Sequence, residues 1–193
     1  MQKNNINIPE GWAKTTFGNV AEFINGRCFK KSEWTDSGLP IIRIENLNNK
    51  KATFNYTKKL FDNKYLIKNG DLLFSWSASL GVYIWEGGKS WLNQHIFQRK
   101  SWLNQHIFRV VPHEIDKQYL FYYLDHHINE LTQKTHGQGM VHITKSVFEN
   151  HKILIPPLEE QKRIVNRINE IFIELDEGIR RLKKAKKAIK LYY

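Results

Sequence analysis

A chain of 193 residues, 41% hydrophobic and 13% aromatic, can bury the core of one ordinary domain with some chain left for an appendage. Thirty Lys and Arg against nineteen Asp and Glu give a formal net charge of +11, which favours polyanionic partners, nucleic acid first among them. The single cysteine, Cys28, excludes an intramolecular disulfide and a Cys-rich zinc site; with a polar start, Met1 to Pro9, and no run near the ~20 apolar residues of a membrane span, the expectation is a soluble, cytoplasmic protein without a membrane partner.

From Ile8 to about Pro157 the chain reads as short β-rich segments broken by turns: Leu39 to Glu45, Gly70 to Ser75, Gly81 to Trp85 and Ile107 to Val111. Asn-Gly at 25–26 and 69–70 and Gly-Gly at 87–88 are turn signals. Between Lys117 and Leu131, the apolar residues Tyr119, Leu120, Tyr123, Leu124, Ile128 and Leu131 fall at helical spacing, which predicts an amphipathic helix packed on the sheet. The fold class is α+β, with a strand-rich domain over residues 1–156.

Ile153-Leu-Ile-Pro-Pro157 ends that domain, since two prolines stop a strand and the following Leu158-Glu-Glu-Gln161 opens an unbroken helical pattern. Residues 157–193 form a long arm in which Ile168, Leu175, Leu182 and Ile189 occupy heptad position a, and Ile164, Ile171, Gly178, Ala185 and Tyr192 occupy d. Such a helix is far longer than a small domain needs, so its stripe, Ile164, Ile168, Ile171, Leu175, Leu182 and Ile189, is expected to pair with another helix in a coiled coil. Its first half carries Glu170, Glu174, Asp176 and Glu177, its second Arg180, Arg181, Lys183, Lys184, Lys186, Lys187 and Lys190; this favours antiparallel pairing in a homodimer, while the plainer reading is a basic helix end that complements the dipole.

Lys89-Ser-Trp-Leu-Asn-Gln-His-Ile-Phe97 recurs unchanged as Lys100 to Phe108, a tandem duplication with a period of eleven residues. An odd insertion within a strand would turn every later side chain to the wrong face, so one copy is expected to hold the strand register and the other to loop out. The sequence leaves open which copy is which.

No dinucleotide-binding fingerprint, P-loop, His-Glu-x-x-His or Gly-x-Ser-x-Gly motif is present. The histidine pairs His126-His127 and His136 with His142 lack a ligand set, and Glu160-Gln-Lys162 fits a nuclease-like acidic-x-Lys pattern only as Glu/Lys-rich helices do by chance. The positive signal is polar, donor-rich loops: Arg27, Lys30 and Lys31; Arg43 and Asn46; Ser75 and Trp76; Lys134, Thr135, Gln138 and His142; and Lys145. Lysines suit phosphates, whereas Arg, Asn and Gln have the fork geometry that reads base edges, so these twelve residues are the candidate contacts to double-stranded DNA. A nuclease with its own active site and a protein-protein adaptor with an incidental basic surface stand as alternatives.

Ile8-Pro-Glu-Gly-Trp12, Leu39-Pro-Ile-Ile-Arg-Ile-Glu-Asn46, Asn69-Gly-Asp-Leu-Leu-Phe74, the Leu-Asn-Gln-His-Ile-Phe stretch before Arg109 and, most specifically, Ile143-Thr and Ile155-Pro-Pro-Leu-Glu-Glu-Gln161 together resemble the specificity subunits of type I restriction-modification enzymes. The resemblance implies a target-recognition domain in the major groove and a spacer helix, with no catalysis and no cofactor of its own. Methylation of adenine would fall to methyltransferase subunits that use S-adenosylmethionine, with restriction subunits joining in the full assembly. A complete subunit of that kind carries two recognition domains and two helices, whereas this chain has one of each, as a natural half, a truncation or an engineered half would. Two copies paired antiparallel would read an interrupted, two-fold symmetric site.

Overall fold

The computed structural model describes residues 8–49, 51–86, 100–133 and 143–189. These divide into two compact units, one running from Lys14 to Leu154 and one holding the described residues up to Ala13 together with those from Ile155 onward.

The larger unit is α+β and is built on two four-stranded sheets. In chain order its elements are β1 (Ala13–Thr16), α1 (Phe17–Val20), β2 (Ala21–Asn25), β3 (Leu39–Ile42), α2 (Ile44–Asn48), β4 (Asn55–Thr57), β5 (Leu66–Lys68), β6 (Leu72–Ser75), β7 (Gly81–Ile84), β8 (Lys100–Leu103), β9 (Ile107–Pro112), α3 (Lys117–Gln133), α4 (Lys145–Glu149) and β10 (Lys152–Ile155). One sheet has the order β2-β9-β6-β7, all antiparallel; the other has the order β4-β3-β8-β5, in which β3 and β8 run parallel; β1 and β10 pair separately. The predicted helix appears as α3 and packs on β7 through its apolar face, with Tyr119, Leu120, Leu124 and Leu131 buried.

The second copy of the duplicated segment supplies a central strand to each sheet. Its Lys-Ser-Trp-Leu is β8, its Ile-Phe opens β9, and Asn104-Gln105-His106 crosses between them. Trp102, Leu103, Ile107 and Phe108 are buried, which is why this copy holds the register; the first copy lies outside the described residues. Among the described residues, Phe148 of α4 lies against Phe17, Phe23, Phe74 and Phe108 in an aromatic stack; a second buried cluster gathers Ile42, Ile67, Leu73, Trp85, Leu103 and Ile107, and a third gathers Phe29, Ile41 and Trp102.

Two local expectations change. The strand predicted over Leu39 to Glu45 stops at Ile42, because the Asn46 side chain accepts the Arg43 backbone N–H at 3.0 Å and so favours the start of α2 at Ile44. The Asn-Gly at 25–26 is a close approach of backbones instead of a hairpin turn: a Cβ at Gly26 would collide with the Asn104 carbonyl, so only glycine fits. Gly70, at φ +87°, is the turn that its sequence predicts.

The smaller unit is dominated by α5 (Leu158–Ile189), 32 residues or about 48 Å long. Glu159 and Glu160 lie in its first turn and Lys186 and Lys187 in its last, matching the helix dipole at both ends. Gln161, buried, donates its amide to the Pro156 carbonyl at 2.9 Å, and Gly11, at φ +79°, lets the Pro9–Trp12 turn lie against Pro157. Beyond Val165 the helix is largely uncovered: Ile171, Leu175, Leu182 and Ile189 are each about half exposed or more. No helix among the described residues is long and apolar enough to cross a membrane.

Candidate nucleic-acid interface

The loop Asn104-Gln105-His106 draws together candidate residues that are far apart in sequence. The Arg27 N–H donates to the Leu103 carbonyl at 2.8 Å, the Asn104 N–H to the Ile42 carbonyl at 3.0 Å, and the Trp76 N–H to the His106 carbonyl at 3.2 Å. Arg27, Arg43, which follows β3 directly, and Trp76 therefore surround one three-residue crossing. The Ile143 N–H donates to the Trp76 carbonyl at 3.4 Å, which places the start of α4, with Lys145, on the same neighbourhood.

Each side chain has a definite environment. Arg43 donates Nη2 to Glu45 at 2.9 Å, and its Nε is buried. Trp76 lies against Phe108 and edge-on to His106. Lys30, Lys31 and Lys145 are exposed, with Lys145 3.4 Å from Glu149. Asn46 and Ser75 are buried: the Asn46 amide donates to Thr53 O at 3.0 Å, and the Ser75 hydroxyl to Ser79 O at 2.6 Å. Their polar groups are engaged inside the fold. Lys134, Thr135, Gln138 and His142 lie outside the described residues.

Arg27 is held most tightly. Its guanidinium donates to both Glu33 oxygens at 2.8 Å and lies 4.0 Å above the Phe61 ring, so it fastens the Lys30–Glu33 turn. The Arg27 hydrogen bonds, followed by the Lys30 N–H, hold the Glu33 carboxyl down at about 2, from an ordinary 4.5. A carboxyl lowered on folding stabilises the protein above its ordinary pKa and loses that contribution as pH falls from about 4.5 toward about 2. The gap in unfolding temperature between wild type and Glu33→Gln is therefore expected to be full at neutral pH and to close across that acid range.

The sequence reading passed over Gln105 and His106. Gln105 Nε2 lies 3.0 Å from His106 Nε2, and both side chains are partly exposed in the crossing loop. The duplication concealed them, because two identical Asn-Gln-His stretches gave no sign of which one the fold uses. A hollow of about 350 Å3 is lined by Trp34, Thr35, Asp36, Phe54, Asn55 and Tyr56 and offers one carboxylate. Among the described residues no three His, Cys, Asp or Glu are gathered to hold a metal ion.

The family described as Type I restriction modification DNA specificity domain matches residues 9–185, and the chain belongs to it. It is 27% identical, over 97% of its length, to the type I restriction enzyme MjaVIII specificity subunit of Methanocaldococcus jannaschii, and 22% identical, again over 97%, to the EcoBI specificity subunit of Escherichia coli. Those alignments take up 43% and 38% of the relatives, so the chain spans less than half their length. Its fold matches the HsdS subunit of Thermoanaerobacter tengcongensis at a TM-score of 0.65 and 22% identity, over 90% of this chain and 40% of that one. A chain from a structure of type I R-M complex assembly and conformational transition matches at 0.69, with 22% identity over 91% and 42%. The chain therefore carries a type I restriction modification DNA specificity domain over most of its length.

Proposed function

We propose that this chain recognises a specific double-stranded DNA sequence as half of a type I specificity subunit, directing methyltransferase subunits that use S-adenosylmethionine to adenines in an interrupted site. Restriction subunits join in the full assembly, and the setting is the cytoplasm. The observation that carries the reading is the Asn104–His106 crossing, which gathers Arg43, Trp76 and the Lys145 helix end in a member of a DNA-specificity family. Arg43 and Gln105 read bases, Lys30, Lys31 and Lys145 hold phosphates, and Lys134, Thr135, Gln138 and His142 complete the contact.

The second half of the site comes from a second copy, paired through α5. In an antiparallel pair centred between Asp176 and Glu177, every position a meets a position d: Ile164 faces Ile189, Ile168 faces Ala185, Ile171 faces Leu182, and Leu175 fits over Gly178. In the same register Glu174 lies opposite Arg181 and Phe172 opposite Ile179. Sliding one helix by a heptad either way sets Glu174 against Glu174 or Arg181 against Arg181, so charge selects this register. A glycine inside a helix, with nothing within 4 Å of the Cβ it lacks, lowers helix stability by about 1 kcal/mol, and the leucine it would receive accounts for it.

Glu174→Arg is expected to weaken self-association, and Glu174→Arg with Arg181→Glu to restore it; sedimentation of both variants checks this. The function itself is tested by mixing the chain with its methyltransferase subunit and sequencing methylated DNA. Adenine methylation at one motif, present only in the mixture, is the expected outcome, and its absence would reject the half-subunit reading.

A further inference from the structure

We propose that the loop Lys58-Lys59-Leu60 is a further DNA contact, in which Leu60 packs against the bases and the two lysines hold phosphates beside it. The inference deepens the DNA-recognition reading above and rests on it. Leu60 is 86% exposed, more than any other large hydrophobic side chain among the described residues. A lone exposed leucine is ordinary on protein surfaces. This one is set apart by how it is mounted and by what surrounds it.

The loop is pinned on both sides. Before the leucine, Thr57 is buried and its hydroxyl accepts the Lys59 N–H at 3.2 Å; a Cβ at Gly38, where φ is +122°, would collide with the Thr57 carbonyl, so the two backbones are in close contact. After it, Phe61 packs edge-on against Phe29 and Trp102, each at 5.3 Å, beneath the Arg27 guanidinium. The Asp62 carboxylate then accepts the Lys64 N–H at 2.9 Å and starts the short turn Asn63–Tyr65. Phe61 fills the inward position, so the neighbouring Leu60 is held outward.

The surroundings are basic. Lys58 and Lys59 are exposed, as are Lys30 and Lys31. Phe61, next to Leu60, lies under the Arg27 guanidinium that Glu33 accepts, and Glu33 also accepts the Lys30 N–H at 2.9 Å, so the loop and the Lys30–Lys31 turn meet at Arg27. Two of the acids there are paired, Glu33 with Arg27 and Asp62 with Lys64 at 3.4 Å. An apolar tip flanked by lysines suits a duplex, where leucine can press between or against bases while ammonium groups meet the backbone. An anionic lipid surface would offer the same charges but no bases.

The experiment takes duplexes with a randomised centre, selects them on the wild-type chain, and titrates the enriched sequences over a range of salt. Leu60→Ala is expected to bind them on the order of tenfold more weakly with an unchanged salt slope, and Leu60→Met to recover most of the affinity. Lys58→Gln with Lys59→Gln is expected to reduce the slope by about 2, one phosphate for each lysine. Circular dichroism should show all variants folded, since the substituted side chains point to solvent. Equal affinity of Leu60→Ala and wild type would overturn the proposal, as would loss of binding to phosphatidylserine vesicles with DNA binding intact. Failure of the wild-type chain to enrich any sequence is a distinct result that overturns the recognition reading as well.

Discussion

On the proposed pairing through α5, Leu175→Glu is expected to be a monomer, seen in sedimentation equilibrium as a mass of one chain at concentrations where wild type is expected to have the mass of two. Leu175 is 54% exposed in the single chain, and in the antiparallel register each copy's Leu175 covers the other's Gly178. Two leucines leave the interface at once, each contributing about 2 kcal/mol, so the dissociation constant rises on the order of a thousandfold. Glutamate is a good helix former at an exposed position, so α5 itself should persist and far-UV circular dichroism should be unchanged. A variant that keeps the wild-type mass would show that α5 pairs through another face or not at all.

Phe148→Ala is expected to destabilise the larger unit by about 3–5 kcal/mol, a large part of a typical domain's stability. Phe148 is fully buried and lies 4.7 Å from both Phe23 and Phe74 and 5.1 Å from Phe17, so its removal opens a cavity that three strands and two helices cannot close without shifting. The unfolding temperature should fall by about 10 °C or more. Val147→Ala, at the half-exposed neighbouring position, serves as the control and should change it little. Equal effects of the two would contradict the placement of α4.

The parts of this protein that were legible in its sequence are those set by periodicity. The apolar spacing of Lys117 to Leu131 and the Pro-Pro break before Leu158 are local patterns, and both helices appear where those patterns place them. The Leu39 strand was legible except at its end, because a side chain, Asn46, decides where α2 starts and the period does not. What the sequence concealed is long-range. Gly26 looks like a hairpin turn until Asn104 is seen against it, and Gln105 and His106 gain meaning only when β8 and β9 are known to belong to different sheets. Lys58 to Leu60 carries no motif; its interest comes from Phe61 being anchored while its neighbour is left in solvent. In the same way, Asn46 and Ser75 have the right chemistry for DNA but are turned inward, a matter of burial that residue type does not encode.

Recognition of a DNA sequence by this chain is the proposed function. It is tested most directly by incubating the full chain with duplexes of randomised centre, recovering those bound, and sequencing them. Enrichment of one motif made of two inverted half-sites separated by an unspecified spacer is expected, with affinity that falls steeply as salt rises. A bound pool with no more sequence preference than the input, or binding indifferent to salt, would contradict it.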